Sequence, residues 1–372
     1  MLKLNGEVIF MRLTDVGRKI YIKKASSIFP GIHDKKIIKT KDTPSYVDFP
    51  ECLRLDLQQE INTESKYINK VDLQIKLYED GVISLIARLK FTDLPITELH
   101  SLRSIKFSIQ EGDYNINQYL RFQNEKIFLR IKDYVEEPDF GLNEAKHEKY
   151  TLYCITDDIN PTEMVENNKK YLACLLMGED PNLNLHETQI NETIGSPFSF
   201  LKNDLLILDF DRGIILDPNR DYEDILLVTE IANYQLLGLR VLDKLLEKRL
   251  NIAEEDIRKI YSTGSIMLRR LNKKVGKLLR IKYDLTFILD NIENVSKLIG
   301  NYFLAQIYMN LSELFQLKQW SDSIRHRLET IGDIYNTAQT KKKEGYLLYL
   351  EILLTFIFVM EFIFIIIDFF KS

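Results

Sequence analysis

The chain changes rhythm twice. Up to about residue 220 the apolar residues come in short runs and alternations, broken by Pro, Gly and charged stretches, which predicts a mixed α/β domain over 1–220. Residues 7–13 predict a strand and 24–29 a helical turn. The polar segment 35–50, with Pro44 and Pro50, reads as a loop. Residues 53–57 alternate apolar and charged side chains, as a half-buried strand does. The clearest signal in this half is VDLQIKLYEDGVISLIARLKF, 71–91. Two apolar runs flank Asp80-Gly81, a pair suited to the positive φ of a tight turn, so a β-hairpin is predicted. Thr97 is expected to cap a helix running to about 107. Residues 126–131 and 150–155 predict strands, and Pro161 opens a helix to Met177 that Gly178 stops.

After Asn219 the period becomes 3.6 and stays there. In 221–250, Ile225, Val228, Ala232, Leu239, Leu242 and Leu246 form a narrow seam of heptad type, with Gln235 its polar interruption. Residues 251–289 predict a second helix that concentrates basic side chains. Arg269, Arg270, Lys273, Lys274, Lys277 and Arg280 make its strip, suited to anionic headgroups or RNA phosphates, or simply to water. A third helical run covers 291–338, with the lone Trp320 read as a packing residue. Together these predict a long-helix, coiled-coil-like stalk over 221–343. An unpartnered seam has to bury itself, so the stalk implies a homo-oligomer.

The last stretch, 344–372, is almost wholly apolar. From Tyr346 to Phe370 only Glu351, Thr355, Glu361 and Asp368 are polar. As a helix it spans roughly 37 Å, enough for a hydrocarbon core of about 30 Å, so one C-terminal transmembrane helix is predicted. Lys341, Lys342 and Lys343 precede it, which places the N-terminal domain on the cytoplasmic or matrix side. Around the helix, Glu361 lies about 80° and Asp368 about 100° from Glu351, so the three acids fit one arc. Glu361, near mid-span, carries a proton or meets a partner there. The fold class is therefore α+β: an α/β domain, a helical stalk and a membrane anchor.

Composition narrows the function classes. The net charge is −5, so no global attraction to nucleic acid or acidic lipid is expected; a ribosome contact would rest on the basic strip alone. Cys52, Cys154 and Cys174 are far apart and form neither a CxxC pair nor a disulfide framework. The start, MLKLNGEVIFMRL, is not a signal peptide. No Walker loop, GxGxxG, HExxH or GxSxG occurs, and the five histidines lack ligand spacing, so no cofactor or metal and no enzymatic activity are expected. One segment looks chemical: in LLILDFDRGIILDP, Asp209 and Asp211 follow an apolar run, as paired aspartates of magnesium-dependent phosphotransfer enzymes do. The simpler reading is a hairpin turning at Asp211-Arg212-Gly213.

Several segments resemble the required-for-meiotic-nuclear-division family. They are FMRLTDVGRKIYI (10–22), LILDFDRGIILD (206–217), ILLVTEIANYQLLGLRVLDKLL (225–246), KLIGNYFLAQIYMNLSELFQLKQWSDSIRHRLETIGDIY (297–335) and LEILLTFIFVMEFIF (350–364). Glu351 and Glu361 sit where that family has two span-associated glutamates. Asn301 stands where it usually has Asp, and Asp217 where it has an aromatic. The resemblance implies a membrane-anchored, oligomeric, non-enzymatic protein, whose mitochondrial members are associated with organellar translation. The layout is also similar, at the level of architecture, to magnesium channels of the CorA type, which makes a cation path lined by Glu361 the alternative to a tethering scaffold. Those channels have two spans and a Gly-Met-Asn tripeptide, and neither occurs here.

Overall fold

The computed structural model describes residues 2–29, 36–37, 52–63, 65, 67–68, 70–138, 147–195, 197–262 and 302–371. The strands are β1 (Lys3–Asp15), β2 (Lys19–Ile20), β3 (Lys36–Ile37), β4 (Cys52–Glu60), β5 (Asn62–Thr63), β6 (Lys70–Tyr78), β7 (Val82–Pro95), β8 (Lys106–Ile109), β9 (Gly112–Asn115), β10 (Val135–Glu136), β11 (His147–Ile155), β12 (Leu205–Leu208) and β13 (Arg212–Leu216). The helices are α1 (Ile22–Ala25), α2 (Ile116–Ile131), α3 (Pro161–Met177), α4 (Glu187–Ile194) and α5 (Glu223–Ser262), then Tyr302–Leu314 and a C-terminal helix Leu317–Lys371.

Eight strands form one sheet in the order β12-β13-β11-β1-β7-β6-β4-β3. Its pairs are antiparallel except β11 with β13. The first strand of the chain thus lies in the middle, paired on both edges. Its run VIFMRL is nearly unbroken because both faces are covered. Val8 and Phe10 join Leu85, Ala87, Leu73, Ile75 and Tyr153 in a core completed by Tyr119 and Ile127 of α2 and Leu172 and Leu176 of α3. Ile9, Met11 and Leu13 alternate with these and face the other side, where they too are buried.

Local signals set most elements. Gly81 closes the β6–β7 turn at φ 82°, as Asp80-Gly81 predicts. Asn160 caps α3 ahead of Pro161, and Gly178 ends it in the left-handed region. Two readings fail. Residues 126–131 are no strand but the last turns of α2. That helix starts at a capping box in which Asn115 and Gln118 bond each other's backbone N–H, and Ile127 and Ile131 are its i, i+4 core pair. Thr97 caps no α-helix: Ile96–Arg103 is a 3-10 helix behind Pro95, with no side-chain cap.

The chain divides into two compact units, Met1–Val241 with Ile288–Trp320, and Leu242–Phe287 with Ser321–Ser372. The first half of α5 therefore counts with the sheet. Ile225, Val228, Ala232 and Leu239, expected to seek a second helix, are buried within this unit. The two C-terminal helices meet at Phe315-Gln316, where Gln316 adopts φ 53°. Phe315 is buried edge-on to Tyr150 and Phe210.

A Cβ at Gly81 would stand 1.8 Å from the Gly17 carbonyl oxygen. With the positive φ added, Gly81→Ala should lower stability by at least about 1–3 kcal/mol, read from the denaturant midpoint of the full chain in mild detergent.

Candidate functional site

The second face of the sheet carries charge in an otherwise apolar setting, and α5 answers three of these charges, Lys76, Arg88 and Glu148. Lys76, Tyr78 and Ser84 stand on that face of the β6–β7 hairpin, with Lys76 directly opposite Ser84. Glu230 of α5, 1% exposed, accepts from all three: from the Lys76 ammonium, from the Tyr78 hydroxyl at 2.9 Å and from Ser84 Oγ at 2.7 Å. Burial first, and then the Glu230 carboxylate, push the Tyr78 phenol well above its ordinary range, so it remains a donor.

Two further pairs lie along the same helix. Arg88 of β7 grips Glu223 with both terminal nitrogens, at 2.6 and 2.7 Å, and reaches Glu7 of β1 at 3.1 Å. Tyr222 donates to the same Glu7 oxygen at 2.9 Å. Arg88's hydrogen bonds hold the Glu223 carboxyl below its usual range. Arg240 donates to both oxygens of Glu148 on β11, at 2.8 and 2.9 Å, and lies 5.8 Å from the centre of the Trp320 ring. Burial pushes Glu148 up, against the pull of Arg240. Gln235, the polar interruption of the seam, accepts from Tyr308 at 2.6 Å. Every carboxylate of this row already has its cation or donors, so the row fixes a helix on a sheet and offers no nucleophile with a free base.

Sequence reasoning missed this row. The available signal was small: Glu223 and Glu230, seven apart, fall on one helical face, and Glu230 stands among apolar neighbours. Lys76, Ser84 and Arg88 occupy alternate positions of strands whose other face is apolar.

Asp209 and Asp211 lie in the turn between the antiparallel strands β12 and β13. Asp209 Oδ1 accepts from the Phe210 N–H at 2.8 Å, while Asp211 pairs with Arg212 at 3.0 Å. Arg212 also donates to the Leu176 carbonyl at the end of α3, 2.8 Å away. Burial raises the Asp211 carboxyl, opposed by Arg212. The turn borders an open cavity of about 410 Å³ shared with Met177, Gln189, Glu192 and Thr193. Among the described residues no three His, Cys, Asp or Glu side chains gather to hold a metal. The segment is a hairpin with both aspartates in its turn.

The C-terminal helix runs unbroken for 55 residues. From Leu347 to Ile363 thirteen large apolar side chains are exposed, including Phe356 at 65% and Phe358 at 66%. Glu351 and Glu361 are exposed among them, and Thr355 Oγ1 donates to the Glu351 carbonyl at 2.8 Å. Lys341, Lys342, Lys343 and Asp368 lie on this helix, with side chains outside the described residues. Arg269, Arg270, Lys273, Lys274, Lys277 and Arg280 fall outside the described residues altogether. By length and composition one described helix, Glu223–Ile252, passes for a membrane span. However, 61% of its most apolar window is buried inside the protein, as in a core helix.

The architecture is that of a mixed α/β protein built on a large sheet, with long helices after it. The chain belongs to the family described as "Uncharacterized protein MJ0711, N-terminal domain", whose model matches residues 5–223, that is, the sheet up to the first residue of α5. A relative from Methanocaldococcus jannaschii, "Uncharacterized protein MJ0711", is 30% identical over 322 residues, covering 86% of this chain and 88% of its own. That match extends into the helical half. No solved structure matches the chain. The resemblance to the required-for-meiotic-nuclear-division family gains no support from these matches.

Two outcomes follow from the buried row. Lys76→Met leaves Glu230 with an unpaired buried charge and should cost about 3–5 kcal/mol, whereas adding Glu230→Leu should restore most of it. Denaturant unfolding of the two variants and the parent checks this. Glu223 has a depressed folded-state pKa, so its contribution is present above the unfolded carboxylate pKa and is lost as pH falls through the folded one. Glu223→Gln should therefore flatten the acid limb of stability against pH and leave its alkaline limb unchanged.

Proposed function

We propose that the protein is a membrane-tethered scaffold, held by its C-terminal helix and self-associating through that helix. The observation that carries the reading is the exposed run from Leu347 to Ile363. Burying a large aliphatic or aromatic side chain stabilises by about 1.5–3 kcal/mol, so thirteen left in water are untenable. A helix apolar all round is buried in protein or in lipid, and lipid suits a run of this length. The three lysines before it favour an N-terminal domain on the cytoplasmic or matrix side.

Self-association is assigned to this helix because Ile225, Val228, Ala232 and Leu239 of the α5 seam are already buried within the chain's own sheet unit. Glu351 and Glu361, about 80° apart around the helix, share a side that lipid would disfavour. A neighbouring copy supplies the hydrogen bonds that side lacks. The scaffold reading is preferred to catalysis because Glu7, Glu148, Glu223 and Glu230, the carboxylates of the buried row, each already have their cation or donors.

Deleting 344–372 should release the protein from membranes, and the intact chain should resist carbonate extraction. Protease added on the cytoplasmic side of sealed vesicles should digest the sheet domain; a protected domain reverses the orientation. Glu361→Leu should stay membrane-bound and lose crosslinked oligomer. An oligomer that survives while cation flux into liposomes is lost would replace the scaffold with the ion-path reading.

A further inference from the structure

We propose that Arg12 is the central cation of a binding site for inorganic phosphate, set between the first strand and α2. Arg12 stands on the face of β1 that carries Val8 and Phe10 and packs against α2. It is 6% exposed, yet among the described residues its Nε has no acceptor and no carboxylate comes within ion-pair reach of its guanidinium. Its partners in the register are Lys149 on β11 and Leu85 on β7, neither of them an acid. The charged groups that act on it are Arg121 and Glu125 of α2, and these already pair with each other at 3.3 Å. The three side chains sum to one positive charge. Burial, and then Arg121, push the Arg12 guanidinium down to about 10, so it is still a cation at neutral pH.

A cation withdrawn from water without a counter-charge is costly to hold, and folded proteins match such groups with an acceptor of their own, with water or with an ion. A second polar atom on the same face is in the complementary condition. Asn124 of α2, 1% exposed, donates its amide to Thr14 Oγ1 at 2.6 Å, and its Oδ1 has no donor. Thr14 follows Arg12 by two residues on β1, about 7 Å along the strand, a gap that one tetrahedral oxyanion covers with a hydrogen bond at each end. An orphan donor and an orphan acceptor together select the ligand. A carboxylate or a sulfate, fully ionised at neutral pH, answers only the arginine. A phosphodiester has no hydroxyl, and a phosphate monoester is mostly the dianion at that pH. Inorganic phosphate keeps a proton, so its oxygens take the guanidinium fork while its hydroxyl donates to Asn124. Entry past the Arg121–Glu125 pair needs side-chain motion alone, since the two side chains are 53% and 39% exposed and a surface pair of this kind contributes little. The site lies within the sheet unit and is independent of the anchor reading.

The test uses the full chain in mild detergent, exchanged into phosphate-free buffer. Calorimetric titration with inorganic phosphate at constant ionic strength should show saturable binding, and phosphate should raise the thermal midpoint of the parent. Arg12→Met keeps the length of the side chain and removes its charge and donors. It should weaken phosphate binding roughly tenfold or more and abolish the phosphate-dependent rise. In phosphate-free buffer the same variant should unfold no earlier than the parent, because it removes a buried charge that lacks a partner there. Arg12→Lys, which keeps the charge and loses the fork, guards against a misfolded Met variant: it should stay folded and bind phosphate more weakly than the parent. Absence of binding by the parent overturns the proposal, as does an equal rise in midpoint with sodium chloride at the same ionic strength. An Arg12→Met variant that unfolds earlier than the parent without phosphate also overturns it, and assigns the partner of Arg12 to the chain itself or to water. Sulfate or glycerol phosphate bound as tightly as inorganic phosphate overturns the choice of ligand.

Discussion

One buried carboxylate decides how the helical half meets the sheet. Glu230 is withdrawn from water, and only the donors of the β6–β7 hairpin replace what it gives up. Slide α5 by one turn and the carboxylate leaves these donors behind, a loss larger than the gain from apolar contact in a new register. The apolar residues of the helix supply the bulk of the attraction but tolerate many alignments. The charges supply the alignment. Glu223 on Arg88 and Arg240 on Glu148 repeat the constraint on either side, so the helix is fixed at three points on β7, β6 and β11.

What the sequence disclosed follows the range of the interactions. The β6–β7 hairpin, α3 with its Asn160 cap and Gly178 stop, and the strand at the start were all legible, because each is set by neighbours within a few residues. Residues 126–131 misled because KIFLRI satisfies period 2 and period 3.6 alike over six positions, and the deciding signal, the Asn115 capping box, lies eleven residues upstream. The seam of α5 was read correctly as apolar, and four of its residues, Ile225, Val228, Ala232 and Leu239, are covered within the sheet unit. Period alone reports that a face must be covered; it does not report by what. The charged row was the least legible. Its partners lie about 80 to 220 residues apart in the chain and betray themselves only as single polar residues at positions where apolar ones would do.

The Asp209–Asp211 segment shows the same limit from the other direction. Its spacing is shared by metal-binding strand ends and by hairpin turns, and composition does not separate them. In the structure one aspartate turns back on its own following amide, the other is matched to Arg212, and that arginine holds the last turn of α3.

The central place of β1 has a consequence for biogenesis. Residues 3–15 are made well ahead of their two neighbours in the sheet, residues 82–95 and 147–155, and of the helix that covers their second face, which begins at 223. Its second edge therefore stays unpaired until residue 155 is made, and its second face stays open until more than half of the chain is made. Contacts this distant in sequence close slowly, and exposed edges of this kind invite aggregation. The domain thus completes only shortly before its apolar C-terminal helix emerges, and the cell has to shield the first strand and the last helix within one round of synthesis.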